Sequence, residues 1–303
     1  MFLLRNLLPD NLNVNFLKVR YVGLALSGLL IIATFYGFFA KGLNLGIDFR
    51  GGILIEARFQ TPPSLDLVRK KLNSLNIGEV TIQTMESSKD LLIKAGYKEG
   101  QNVMDNAALV QKTIKNKIYS KVEFRKVEYV GAEVGAEMIG DGTIAVLLTF
   151  IGIMLYVWYR FNWQYSIGIV IGLIHDVILT MGYLIYMDFE FNITCIAAIL
   201  TILGYSVNDT VVMYDRIREN LYNIRKKPFI EILNLSINET VYRTLFTMLT
   251  TLLAAGALVV YGGEALKSFS VTVFAGIVIG TYSSVFISIP ILSFFKNSVT
   301  RRK

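Results

Sequence analysis

Six runs of mainly apolar residues decide most of what this chain can become: Val19–Ala40, Met138–Tyr159, Gln164–Met187, Asn192–Tyr214, Thr244–Tyr261 and Phe269–Phe295. Each approaches or exceeds the roughly 20 residues that a helix needs to cross the hydrocarbon of a bilayer. Lipid offers the backbone no hydrogen-bond partner, so the segments that cross it must be helical. Composition agrees: of 303 residues, 53% are hydrophobic and 17% charged, against about 25% charged in a soluble domain. The expected fold class is therefore an α-helical polytopic membrane protein with six transmembrane helices. The sixth run is long enough to tilt, or to bend at Pro290.

The charges report orientation. A net charge of +7 could suggest nucleic acid, but the cations sit in short flanks. Lys18 and Arg20 sit at the start of the first run, Arg160 separates the second and third, and Arg216, Arg218, Arg225, Lys226 and Lys227 follow the fourth. Lys296, Arg301, Arg302 and Lys303 end the chain, whereas the opposite loops carry Asp188, Glu190, Glu264 and one Lys267. By the positive-inside rule both termini are cytoplasmic. The expected organisation is a cytoplasmic segment 1–18, a first span 19–40, an external domain 41–137, spans two to six over 138–295, and a basic tail 296–303. The opening stretch lacks a small-residue cleavage site, and the first run is too long for a signal h-region, so it is read as a retained anchor. The single cysteine, Cys195, excludes a disulfide framework within the chain.

Between spans one and two the pattern changes to short polar elements. "GGILIEARF", "EVTIQTM", "KDLLIKAGY" and "KVEFRKVEYV" read as strands, and "SLDLVRKKLNSLNIG" and "VMDNAALVQKTIKNKIY" as helices. The order β-α-β-β-α-β is that of a ferredoxin-like α+β module. Its acids are scattered among lysines and it has no His or Cys, so a scaffold or contact role is expected. "GLNLGIDFRGG" joins it to span one, with Asp48, Arg50, Gly51 and Gly52 in a segment read either as the turn that launches the strand or as a hinge or contact element between membrane and domain.

Ionisable residues inside the apolar runs are functional candidates by default, since a central Asp costs about 2.5–3.5 kcal/mol on insertion scales. Asp209 lies in span four with Ser206 one turn earlier, while Asn208 points about 100° away. His175 and Asp176 fall near the middle of span three and form a secondary polar site; the bland reading is a satisfied interhelical hydrogen-bond pair. Arg243 opens span five, where it either snorkels to the boundary or partners Asp209. Burial and a nearby cation pull a carboxylate in opposite directions, the setting for a proton relay. Gly168–Gly172 and Gly276–Gly280 supply GxxxG pairs for close helix packing. There is no P-loop, a lone histidine argues against a His-based zinc site, and an aspartic-protease dyad of Asp176 and Asp209 has little beyond the count of two in its favour. No cofactor and no enzymatic activity are expected.

"GIDFRGG", "VGAEVG", "LIHD", "FEFNITCIAAILTILGYSVNDTVVMYDRIREN", "INETVYRT" and "GTYSSVFISIP" together resemble the SecD/SecF family of protein-export membrane proteins. The resemblance runs from Phe16 to the last span. It implies an RND-type half transporter whose external module is ferredoxin-like, an inner-membrane location with residues 41–137 in the periplasm, SecD as the partner in a heterodimer, the Sec channel (SecY, SecE, SecG), and an unfolded preprotein as client, with no nucleic acid. It places the family's membrane acid on Asp209 and its membrane arginine on Arg243. Two departures are visible: Ala132 stands where the family pattern has proline, which puts a rigid turn in doubt, and Ile193 replaces the usual leucine. The implied function is an auxiliary subunit of preprotein translocation that uses the proton or sodium gradient. Competing expectations are a passive scaffold of the export machinery and an independent small-molecule exporter.

Overall fold

The computed structural model describes residues 14–85, 87–98, 101–119, 121–224 and 226–295. Residues 1–13 of the expected cytoplasmic segment, Arg225 and the basic tail 296–303 lie outside the described residues, as do the side chains of Glu264 and Ala265.

Six helices are long and apolar enough to cross a membrane. After a 3-10 turn at Phe16–Val19 comes α1, Arg20–Ala40. A four-residue helix α2, Ile47–Arg50, leads into the sheet domain, and the chain returns through α5, Ala132–Arg160, and α6, Trp163–Tyr186. Then follow α7, Ile193–Asn223, α8, Phe229–Tyr261, and α9, Gly263–Ser283. Three helices outrun their apolar runs: α5 begins at Ala132, α7 continues to Asn223, and α8 begins at Phe229. Apolarity marks the part of a helix suited to lipid, whereas the helix itself continues wherever polar helix formers permit. The sixth span ends in a π turn, Ser284–Ser288, and a short α10, Ile289–Phe294. Pro290 cannot donate a backbone hydrogen bond to the turn before it, and the wider turn takes up the mismatch.

The helices are not equivalent. In α6, α7 and the sixth span, 50%, 50% and 61% of the most apolar window is buried, against 6% for α5 and 11% for α8. The first three form the centre of the bundle, where Tyr165, Leu173, Leu203, Met213, Tyr214, Ile217, Leu233 and Ile289 pack. The outer helices leave large apolar faces open.

The sheet domain has strands β1 Gly52–Phe59, β2 Val80–Thr84, β3 Asp90–Gly96 and β4 Val122–Val130, in the antiparallel order β2-β3-β1-β4. This is the ferredoxin-like arrangement that the element order leads one to expect. Alternation places Ile53, Ile55, Ala57 and Phe59 of β1 on one face. There they meet Val68 and Leu72 of α3, Leu65–Asn73, and Ala107 and Val110 of α4, Val103–Thr113. Each of the Val, Leu, Ile and Phe side chains among them contributes about 1.5–3 kcal/mol when buried. Ser64 accepts from the Leu67 amide and Asn102 from the Met104 amide, capping the two helices. Arg58 grips Asp90 with two hydrogen bonds of 2.6 and 2.7 Å. That hydrogen bonding, with the charges of Arg58 and Arg125, holds the Asp90 carboxyl below its ordinary value of 3.8, against the opposing pull of burial.

Candidate functional site

Span three enters the bundle centre with two polar residues in succession, and neither is left unbonded. Asp176 is fully buried and His175 is 3% exposed. Their side chains meet at 3.2 Å between His175 Nδ1 and Asp176 Oδ1. Ser206 of α7 donates to Asp176 Oδ2 at 2.6 Å. On the other side His175 Nε2 lies 3.1 Å from Ser27 Oγ of α1, which lies 3.0 Å from the Tyr282 hydroxyl of α9. Tyr282 then donates to the Gly23 carbonyl at 2.8 Å. A continuous chain of polar groups thus joins α7, α6, α1 and α9 through the apolar centre. Water-poor surroundings strengthen such a chain and penalise any gap in it.

Close helix approach makes the chain geometrically achievable. Gly280 of α9 faces Ser206 and Asp176, and Gly276 faces Ile202. Gly168 of α6 lies against the Tyr214 hydroxyl and the Ser288 carbonyl, and Gly172 against the Ser288 side chain. Gly168, Gly172 and Gly280 therefore line the polar centre, while Gly276 packs on the apolar Ile202. The π turn adds to it: Ser284 Oγ lies 3.0 Å from Thr210 Oγ1, and Tyr214 donates to the Ser288 carbonyl at 3.1 Å.

Asp209, one turn beyond Ser206 on α7, is 3% exposed, and its Oδ2 is buried with no hydrogen-bond partner among the described residues. The expected partnership with Arg243 takes no ion-pair form. Arg243 on α8 is exposed, near enough to act on the Asp209 carboxylate through its charge but without direct contact. Ser206, expected beside Asp209, bonds Asp176 instead. Asn208 is exposed, on a stripe of α7 with Ala197, Thr201 and Gly204. Spacings of three and four residues put these four on one helix face.

The segment from Asn44 to Gly52 meets the far end of the same helix. Gly46 N donates to the Phe191 carbonyl at 2.8 Å, and Phe191 N to the Asn44 carbonyl at 2.7 Å, a single parallel bridge. Phe49 stacks on Phe191 with centroids 5.5 Å apart. Asp48 Oδ2 accepts the Ile193 amide at 2.9 Å, and Asn192 caps the Cys195 amide, so two side chains serve the start of α7. Lys94 of β3 pairs with Glu190 of the α6–α7 loop. Gly51 and Gly52 have φ of 73° and 144°, a region where side chains are strained, and a Cβ on Gly51 would lie 3.0 Å from the Ala132 backbone. Arg50 is exposed, with no ion pair found among the described residues. The segment is thus both launching turn and contact element. The sequence reasoning missed Ser27 and Tyr282. The available signal was a hydroxyl within an apolar run at a helix-facing spacing, which many lipid-facing residues share.

The family model described as "Protein export membrane protein SecD/SecF, C-terminal" matches residues 110–298, and "SecD/SecF GG Motif" matches 36–63. Among curated relatives, "Protein translocase subunit SecF" of Rickettsia bellii is 49% identical over 96% of each chain. The Rickettsia felis protein of the same name is 47% identical over 98% of this chain and 96% of its own. Of solved structures, SecDF from Thermus thermophilus, described as a translocon-associated membrane protein, superposes with a TM-score of 0.82 at 33% identity. SecDF in a super-membrane-facing form gives 0.65 at 30% identity. These matches cover 95% and 96% of this chain but 39% of each SecDF chain.

Proposed function

The chain belongs to the SecD/SecF family of protein-export membrane proteins, and from that premise we propose that it is the subunit that couples ion flow to preprotein export. It is a multi-pass inner-membrane protein and a subunit of the Sec protein translocase, with SecD as its partner. The gradient-coupling role goes beyond that and rests on Asp209. A carboxylate oxygen buried without a partner is costly, and a chain that keeps one has a use for its changing charge. In this reading a proton (or sodium ion) reaches Asp209, cancels its attraction to Arg243, and lets α7 and α8 shift. The junction at Asp48, Phe191 and Glu190 passes that shift to the sheet domain, which draws the emerging polypeptide outward. Ser206 and Asn208 flank the acid, and both termini face the cytoplasm with residues 41–137 in the periplasm.

The open faces support a docked partner. Arg243 and Asn208 would be expensive against lipid. The Ala197–Thr201–Gly204–Asn208 stripe suits close approach by another helix, and more than half of the SecDF chain lies beyond the part this chain matches. SecD helices on this face would cover the polar residues and complete the surroundings of Asp209. The Sec channel and the unfolded client are further proposed contacts. The deciding experiment is gradient-dependent export in membrane vesicles that hold the chain with SecD and the channel. Asp209→Asn is expected to abolish the stimulation with assembly intact. Unchanged stimulation would favour the passive-scaffold reading, for which truncating the sheet domain does the greater harm.

A further inference from the structure

The sheet domain joins the membrane helices at one end and carries a charged cleft at the other. β1 follows α2 and β4 leads into α5 at the paired residues Gly52 and Val130. Phe59 and Val122 pair at the far end, about 23 Å away at the usual rise of an extended strand. There an open cleft of about 610 Å³ is lined by Arg58, Gln60, Ser87, Lys89, Lys121 and Glu123, among others. Backbone bonds fix its wall: the Phe59 amide donates to the Lys89 carbonyl at 2.9 Å, and the Lys89 amide to Ser87 Oγ at 3.3 Å. Arg58 and Arg125 converge on Asp90 at 2.6 and 3.8 Å, so that acid is neutralised within the fold. Lys89 and Lys121 are exposed, and no ion pair of either is found among the described residues. The chain that leads into β4 is itself basic: residues 112–126 include Lys112, Lys115, Lys117, Lys121, Arg125 and Lys126 against one acid, Glu123.

We propose that this cleft docks an acidic, extended segment of polypeptide, the form in which an exported chain emerges. The inference rests on the export reading above, and it names a surface and a chemistry for the client. Small-molecule sites are mostly apolar and enclose their ligand, whereas this cleft is open and lined by charge. Its surplus cations call for carboxylates. β4 is an edge strand, so its outer backbone groups are available to a chain lying alongside. In such a chain every second side chain faces the same way, about 7 Å apart, and several acids can address the cleft at once. The contacts that seat the domain on the membrane helices, Lys94 to Glu190 and Asp48 to the Ile193 amide, belong to the other end, which favours a polypeptide over a lipid surface. Exposed ion pairs are individually weak and screened by salt. A grip made of several such contacts holds a passing chain and still releases it.

The test reads the cleft directly. Gln60, exposed at its rim, is changed to cysteine (Gln60→Cys) in a Cys195→Ala background and carries an environment-sensitive fluorophore. The whole chain, assembled with SecD in nanodiscs of uncharged lipid, is titrated with a short peptide of alternating Glu and Ser. A saturable response is expected, weakened by salt and about tenfold by Lys89→Glu with Lys121→Glu. An alternating Lys and Ser peptide should give none. Both substituted positions are exposed, so the variant should assemble and melt as the parent does; if it does not, Lys89→Gln with Lys121→Gln replaces it, with about threefold weakening expected. No response, an equal response in the charge-altered chain, or an equal response to both peptides overturns the docking site. Displacement of the peptide by vesicles of anionic lipid, and not by vesicles of uncharged lipid, assigns the cleft to a membrane surface and overturns it too. The ion-coupling reading stands or falls apart from this. Unchanged export in Asp209→Asn with charge-selective binding at the cleft sinks the coupling and keeps the docking site, and the converse pair of results does the reverse.

Discussion

Gly280 sets how closely α9 approaches the polar centre. A Cβ there would lie 3.2 Å from Ser206 Cβ and 3.6 Å from Asp176 Oδ2, a distance at which alanine needs a small adjustment and leucine a displaced helix. Gly280→Leu is expected to destabilise the detergent-solubilised protein by about 1–3 kcal/mol, read from its thermal unfolding. Ala132 offers the opposite case. It is the first residue of α5, after Gly131 at φ −70° and ψ 151°, the extended backbone that precedes proline comfortably. A proline is favoured at a first helical position. The turn that the family pattern builds with proline is thus present with alanine, and Ala132→Pro is expected to stabilise by about 0.4–1 kcal/mol. Asp90 carries a pH dependence. Its folded pKa is depressed, so its contribution to stability is full above the ordinary value of 3.8 and is lost as pH falls through the folded value. The sheet domain should melt at lower temperature on acidification below that range. Asp90→Asn should be less stable at neutral pH and flatter in its acid response.

At the scale of elements the junction between the sheet domain and α7 matters most. Asp48 reaches across 145 positions of sequence to cap the Ile193 amide, and an acid at a helix start is favoured by the backbone dipoles. Asp48→Ala is expected to cost about 0.5–2 kcal/mol, the range for a lost cap. Cys195 makes the loss visible. It is fully buried, held near the Glu190 carbonyl at 3.5 Å and Thr272 at 3.6 Å, and is the chain's one cysteine. A maleimide should label the native chain slowly and Asp48→Ala faster; equal rates would mean that Asp48 does not hold this end of α7 closed. The strands, helices and glycines of the domain were readable because alternation, caps and turn residues are local signals. Asp48 as a cap was not, because the helix it serves lies far along the chain.

For the whole molecule, the polar chain runs through the three central helices and α1, while the outer helices leave apolar faces open. Arg243 and Asp209 illustrate the division. Each is conspicuous in an apolar run, and the expectation that they pair was reasonable from sequence. In the fold Arg243 is exposed and Asp209 is buried without it, because α7 turns its acid inward while α8 keeps its cation outward. His175 and Asp176 show the reverse: adjacent residues that point apart on a helix are nevertheless joined, since Ser27, Ser206 and Tyr282 converge on them from three other helices. Six membrane helices, a β-α-β-β-α-β insert and their chemical class were determined by sequence alone, because burial in lipid and strand alternation leave periodic marks along the chain. Which polar groups meet was decided by tertiary structure. A hydrogen bond depends on distances of about 3 Å between side chains, and helix packing, set by glycines and a π turn, brings together atoms that no sequence spacing relates.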